Sequence, residues 1–199
     1  MDKNTMAYYN PRNVVGEFFE QKTMRIFNLS RSDGGHSGKS PDLVSKDGSF
    51  YVEVKASAYD NGGVINKNQI YRFEEEIKER RFYAFPFHSI TKDMSKRYSN
   101  PTRLITALDL RSLYLFPFSI VLAHFENSEI KTTAKHDGYV QLNEERAKMI
   151  FGKNAEFWNH LGLNPSDYKM KKLHEKVFVV TKDGYLEDKI ACMFHPKSI

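Results

Sequence analysis

The sequence predicts an α/β chain in which a mixed central sheet is flanked by helices. Three observations carry that expectation. A helical pattern comes first, with Val15, Phe18, Phe19 and Ile26 on one stripe at 3.6-residue spacing. A strand–turn–strand pattern centred on Asp47-Gly48 follows it. A second helical stripe, Ile70, Phe73 and Ile77, then leads into the run from Phe82 to Phe87, which reads as the next strand.

The 199 residues suffice for one domain with a core that needs no disulfides. Only Cys192 is present, so no intramolecular disulfide or cysteine-based zinc site is available. No His-Glu-x-x-His pattern occurs among the seven histidines. The start of the chain lacks an apolar leader and no run approaches a membrane span, so a cytoplasmic, reducing location is expected. Thirty basic residues against 25 acidic ones give a net charge of +5, which suits an anionic partner such as DNA.

The first helix is expected over residues 14–27, capped by Asn13. Glu17 points nearly opposite its apolar stripe, whereas Glu20 sits at the border and can reach a site at the edge of a sheet. A glycine-rich basic loop follows at 31–40. Its Gly38-Lys39-Ser40 is not a phosphate-binding P-loop, because Asp33 occupies the first glycine position and a strand, not a helix, comes next. Arg31 and Lys39 on this loop are candidates to meet a DNA phosphate, and His36 is a candidate proton carrier.

The next stretch organises the chain. Asp47-Gly48 reads as a tight type I′ turn between two strands. In the second arm Phe50, Val52 and Val54 point one way and Tyr51, Glu53 and Lys55 the other, with Asp42 opening the partner arm. Two carboxylates and an ammonium therefore converge at one end of a hairpin whose other face is apolar. Hard divalent cations favour such oxygen ligands.

Pro41-Asp42, ten residues, then Glu53-Val54-Lys55 resembles the signature of the PD-(D/E)xK nuclease superfamily, which includes type II restriction enzymes and archaeal Holliday junction resolvases. Gly16-Glu17-Phe18-Phe19-Glu20 likewise resembles the Gly-x-x-Phe-Glu of its first helix. The resemblance covers residues 13–87 and implies a restriction-endonuclease-like αβββαβ core, with an elaborated C-terminal half. It implies a Mg2+-dependent DNA endonuclease, Mn2+ being able to substitute, with Asp42, Glu53 and the Val54 carbonyl as metal ligands. Glu20, or Glu17 as second choice, would help hold the metal or its waters, and Lys55 would orient the attacking water or stabilise developing charge. Gln69 and Lys67, at the start of the second helix (66–80, capped by Asn66), would contact DNA or a metal-bound water. The core's first strand has room only around residues 26–29.

The catalytic part would span about 13–125, and residues 126–199 would serve substrate recognition. From residue 88 onward a basic loop (92–103), a helix (102–113), a buried strand (116–125), strands at 139–142 and 177–180, a turn at 182–185, and helices at 143–151 and 155–161 are expected. Lys171 and Lys172, in the basic run 169–176, are candidates to grip phosphates. A restriction-type homodimer is the first subtype, since cutting both strands needs two sites. A junction- or flap-cleaving enzyme and a non-catalytic nucleic-acid-binding protein on the same fold are the alternatives.

Overall fold

The computed structural model describes residues 10–33, 40–57, 62–72, 75–90, 100–133, 136–182 and 184–199. Helix α1 spans Pro11–Ile26. It begins three residues earlier than the Asn13 cap implied, because Asn10 accepts from the Arg12 N–H while Pro11 takes the first turn, where its missing N–H costs nothing. Val15, Phe19, Thr23 and Ile26 are its buried face. Asn28, at φ 48°, turns the chain out of the helix, so the first strand falls not at 26–29 but at β1, Ser30–Arg31.

Strands β1, β2 (Leu43–Val44) and β3 (Tyr51–Val54) form an antiparallel meander. The turn between β2 and β3 is wider than the expected two-residue type. Ser45 N–H donates to the Phe50 carbonyl at 2.9 Å, and of the turn residues only Gly48, at φ +70°, has a positive φ, whereas type I′ needs two. Asp47 shapes this loop by accepting from the Ser49 N–H and from the Ser45 and Ser49 hydroxyls.

The expected helix 66–80 is instead strand β4 (Gly63–Asn66), helix α2 (Lys67–Ile70) and helix α3 (Glu75–Glu79). Phe73 lies outside the described residues. Strand β5 (Arg81–His88) is buried throughout. Helix α4 is Pro101–Ala107, shorter than expected, and 110–117 is strand β6 (Leu110–Pro117). The apolar run expected as a strand at 116–125 is mostly helix α5 (Phe118–Glu126), since Pro117 ends the ladder and opens the helix. Then come β7 (Lys131–Thr133), β8 (His136–Leu142), α6 (Glu144–Phe151), α7 (Ala155–His160), β9 (Lys169–His174), β10 (Val177–Thr181) and α8 (Gly184–Met193). The last begins where a turn was expected. Asn143 and Asn154 cap α6 and α7 with side-chain acceptors.

Seven strands form the central sheet in the order β1-β2-β3-β5-β6-β10-β9. It is mixed: β3 and β5 are parallel, as are β6 and β10, and the other neighbours are antiparallel. Two apolar cores cover its faces. One gathers Val15, Phe19, Phe50, Val52, Phe82, Leu104 and Ile190, placing α1, α4 and α8 on that side. The other gathers Ile70, Tyr83, Phe85, Phe116, Val121, Ile150 and Trp158, and it also takes in Ile65, Val140 and Leu142 of a second sheet, ordered β4-β8-β7. His124 ties α5 to that second sheet through Nε2 and the Gln141 carbonyl, 3.2 Å apart, and burial lowers its pKa to about 4. Among the described residues, no helix is long and apolar enough to cross a membrane.

Candidate active site

The candidate site lies on the face of β2 and β3 opposite α1. Leu43 pairs with Val52 and Val44 with Tyr51, so one step beyond the ladder Asp42 stands across from Glu53. Side chains opposite each other in antiparallel strands start about 5 Å apart at Cβ. Asp42 Oδ2 accepts from the Val54 N–H at 2.8 Å, which fixes the carboxylate against β3. Burial, first, and then the neighbouring Glu53 charge push the Asp42 pKa up to about 7, while Lys55 and the Val54 N–H pull it down.

Glu53 and Lys55 share a face as the strand period requires, and both are buried. The Lys55 ammonium donates to Glu53 Oε1 at 2.6 Å and to Gln69 Oε1 at 2.9 Å. Gln69 reaches this position because β4 brings α2 back over the hairpin. At Gly63, a Cβ would come within 2.5 Å of the Lys55 carbonyl and 2.7 Å of the Phe85 ring, so only glycine lets β4 lie this close. Asn66 donates its amide to Gln69 Oε1 at 3.1 Å rather than capping α2 with its side chain, and Asn66 Oδ1 is buried with no hydrogen-bond partner among the described residues.

Arg81 is the site residue that sequence reasoning missed. It opens β5 opposite Tyr51, is fully buried, and brings Nη2 to 3.8 Å from Glu53 Oε2. Its guanidinium lies 4.6 Å from the centre of the Tyr83 ring and 5.8 Å from that of Phe118. Burial lowers its pKa, while Tyr83, Glu53 and Asp42 counteract that shift. The available signal was the Arg80-Arg81 doublet at the mouth of a wholly apolar strand. A charge there must either leave the sheet or find a buried partner.

The remaining expected residues divide. Glu20 is close enough to Asp42 to act on its charge, yet its carboxylate is 3.4 Å from Arg31 Nη2, and Arg31 also pairs with the more exposed Glu17. Arg31 thus ends β1 engaged with helix acids, rather than presented on a loop to a phosphate. Lys39 and His36 lie outside the described residues. Lys67 is exposed at the start of α2, two residues from Gln69, with its stem over Gly138. Lys171 and Lys172 are on β9, the far edge of the sheet. Four strand spacings separate β9 from β3, about 19 Å. There Lys171 is 3.7 Å from both Glu187 and Asp188, and Lys172 lies over the Phe178 ring.

Asp42, Glu53, Lys55 and Gln69 are therefore brought together, with Glu20 at the margin; Lys171 and Lys172 are not. Among the described residues no group of three or more His, Cys, Asp or Glu side chains is arranged to hold a metal ion. Asp42 and Glu53 are the two acids that the β2–β3 register sets across from each other. Compared with family models, curated proteins and solved structures, the chain matches none.

Proposed function

We propose that the chain is a Mg2+-dependent DNA endonuclease of the PD-(D/E)xK type. The observation that carries this reading is the juxtaposition of Asp42, one residue before β2, with Glu53 on the neighbouring antiparallel β3, and with Lys55 bonded to Glu53. The strand order β1-β2-β3-β5, preceded by α1 and with helices α2 and α3 between β3 and the parallel β5, supports an αβββαβ core.

The donor set fits one hard divalent ion. Two carboxylates side by side, Glu53 buried and Asp42 half-buried with its pKa pushed up to about 7, are a pair that a cation relieves. The unsatisfied Asn66 Oδ1 nearby is a further acceptor for an ordered water. Asp42 and Glu53 would hold the ion, the Val54 carbonyl is a third candidate, and Glu20 would act at the margin. A bound Mg2+ supplies charge neutralisation and water activation for phosphodiester hydrolysis.

The chain's own groups do the rest. An ammonium has three N–H donors. Lys55 directs two at Glu53 and Gln69, and the third is the one that meets a phosphate oxygen or the attacking water. Gln69 and Glu53 fix Lys55, so its charge is in place before substrate arrives. The charges also fit an anionic substrate: Asp42 and Glu53 balance Lys55 and Arg81, so an added divalent ion leaves the site cationic. A homodimer with restriction-type cleavage remains the first subtype, and junction or flap cleavage the second. Where Glu53 serves only as the partner of Lys55 and Arg81, the same fold would bind DNA without cutting it.

Incubation with supercoiled plasmid, single-stranded and branched DNA in Mg2+ or Mn2+ tests this. Cleavage by the wild type that needs the divalent ion and disappears in Asp42→Ala and Lys55→Ala is expected. Equal cleavage by those variants overturns the site, and salt-dependent binding without any cleavage selects the binding module.

A further inference from the structure

A cleft of about 620 Å³ opens at the end of the sheet away from Lys55. Its walls come from α3, the start of β5, the end of β6, the first half of α5, Lys182 just past β10, and Leu186 of α8. Three of the described residues lining it are cations, Lys78, Arg80 and Lys182, against one acid, Glu79. Tyr71 and Phe118 supply aromatic surface. Tyr71 is half exposed, at 52 %, yet it is not loose: its ring meets Phe125 edge-on at 6.0 Å. A fixed, exposed ring beside several cations is the combination that binds single nucleic-acid strands, with phosphates on the cations and bases on the ring faces.

The cleft also shares neighbours with the candidate active site. Arg80 lines it and the next residue, Arg81, touches Glu53; Phe118 lines it and lies under the Arg81 guanidinium. From Tyr83, level with Glu53, back to Arg80 is three residues, about 10 Å of strand. We propose that this cleft takes a single nucleic-acid strand running to or from the active site, with its phosphates on Lys78, Arg80 and Lys182 and a base on Tyr71. The proposal deepens the nuclease reading and rests on its choice of a nucleic-acid substrate.

Fluorescence anisotropy with a labelled oligothymidylate, in EDTA so that nothing is cut, tests it. Tyr71→Ala is expected to weaken binding about tenfold, the loss of one stacked base. Lys78→Gln/Lys182→Gln is expected to flatten the plot of log affinity against log salt by about 1.4, at about 0.7 per cation. Both variants keep Asp42, Glu53 and Lys55, and an unchanged melting temperature confirms their fold. Wild-type affinity and salt slope in both variants, or no binding of the oligonucleotide by the wild type, overturns the cleft. Lost binding in the variants together with no cleavage of any DNA by the wild type in Mg2+ would leave the cleft standing and sink the nuclease reading instead.

Discussion

The two sides of the central sheet handle charge in opposite ways. On the β2–β3 side, Asp42, Glu53, Lys55 and Arg81 lie within the protein, each held by a named partner or a short strand spacing. On the β9 side, Lys169, Lys171 and Lys172 stand along an edge strand with intermediate or full exposure, and their partners are surface acids and a ring face. Buried charge is costly unless paired, and such a cluster persists where it has a use or cannot be removed without repacking. Lysines along an edge strand have a simpler use: they keep another strand from docking there. The densest run of charge in the sequence thus lies on the edge strand farthest from β1, whereas Glu53, Lys55 and Arg81 converge within the sheet.

The largest expected effect breaks the comparison most cleanly. Lys55→Ala or Asp42→Asn is expected to lower DNA cleavage by about 10²–10³-fold, as loss of a preorganised charge does. Lys171→Ala/Lys172→Ala is expected to change it by less than about threefold, because it removes only screened contacts at the surface. Gel quantification of plasmid nicking measures both, and comparable losses on the two sides would abolish the distinction.

Next comes Arg81→Met, which leaves Glu53 buried with one cation fewer. Urea unfolding is expected to show a loss of about 3 kcal/mol, whereas Lys171→Met should stay within about 0.5 kcal/mol.

Titration sharpens the contrast further, and with opposite signs in buried His124 and half-buried Asp42. His124, under the second sheet, has its pKa lowered by burial to about 4. The unfolded chain therefore binds more protons than the folded one between about pH 6.5 and 4, so stability falls as pH falls through that window, by up to about 3 kcal/mol. His124→Leu is expected to remove that slope in urea titrations from pH 7 to 4.5.

Asp42 works the other way. Its pKa is raised to about 7, so the folded state binds more protons between about pH 4 and 7, and metal-free stability is lost as pH rises through that range. Asp42→Asn keeps an acceptor for the Val54 N–H. Without divalent ions at pH 8 it is expected to be more stable than the wild type by about 1 kcal/mol, with the gain fading near pH 5. A destabilised variant at pH 8 would mark Asp42 as a structural residue.

How much of this was legible in the sequence varies by element. The faces of β3 were, because a period of two admits no other assignment for Glu53 and Lys55. The placement of Gln69 beside them was carried by the resemblance, not by periodicity, and it depends on a strand no local signal announces. β4 is four residues long and pairs with β8, so Gly63 meets Leu142 across a long stretch of chain. The run around 116–125 was misread because an unbroken apolar segment suits a buried strand and a buried helix alike, and Pro117 marks the boundary between them. Arg81 was passed over because a charge beside an apolar strand looks like an end marker, until the burial of its side chain against Glu53 is seen. The placement of Lys171 and Lys172 on an edge strand depends on strand order, which spacing does not encode.

The central claim is that Asp42 and Glu53 share one divalent ion. Anomalous diffraction from crystals soaked in Mn2+ tests it most directly. The account expects a single strong peak bonded to one oxygen of each carboxylate at about 2.0–2.3 Å, and the same peak missing in Asp42→Asn. Full occupancy elsewhere with none at this pair, or Glu53 still bound only to Lys55 and Arg81 at saturating Mn2+, would contradict it.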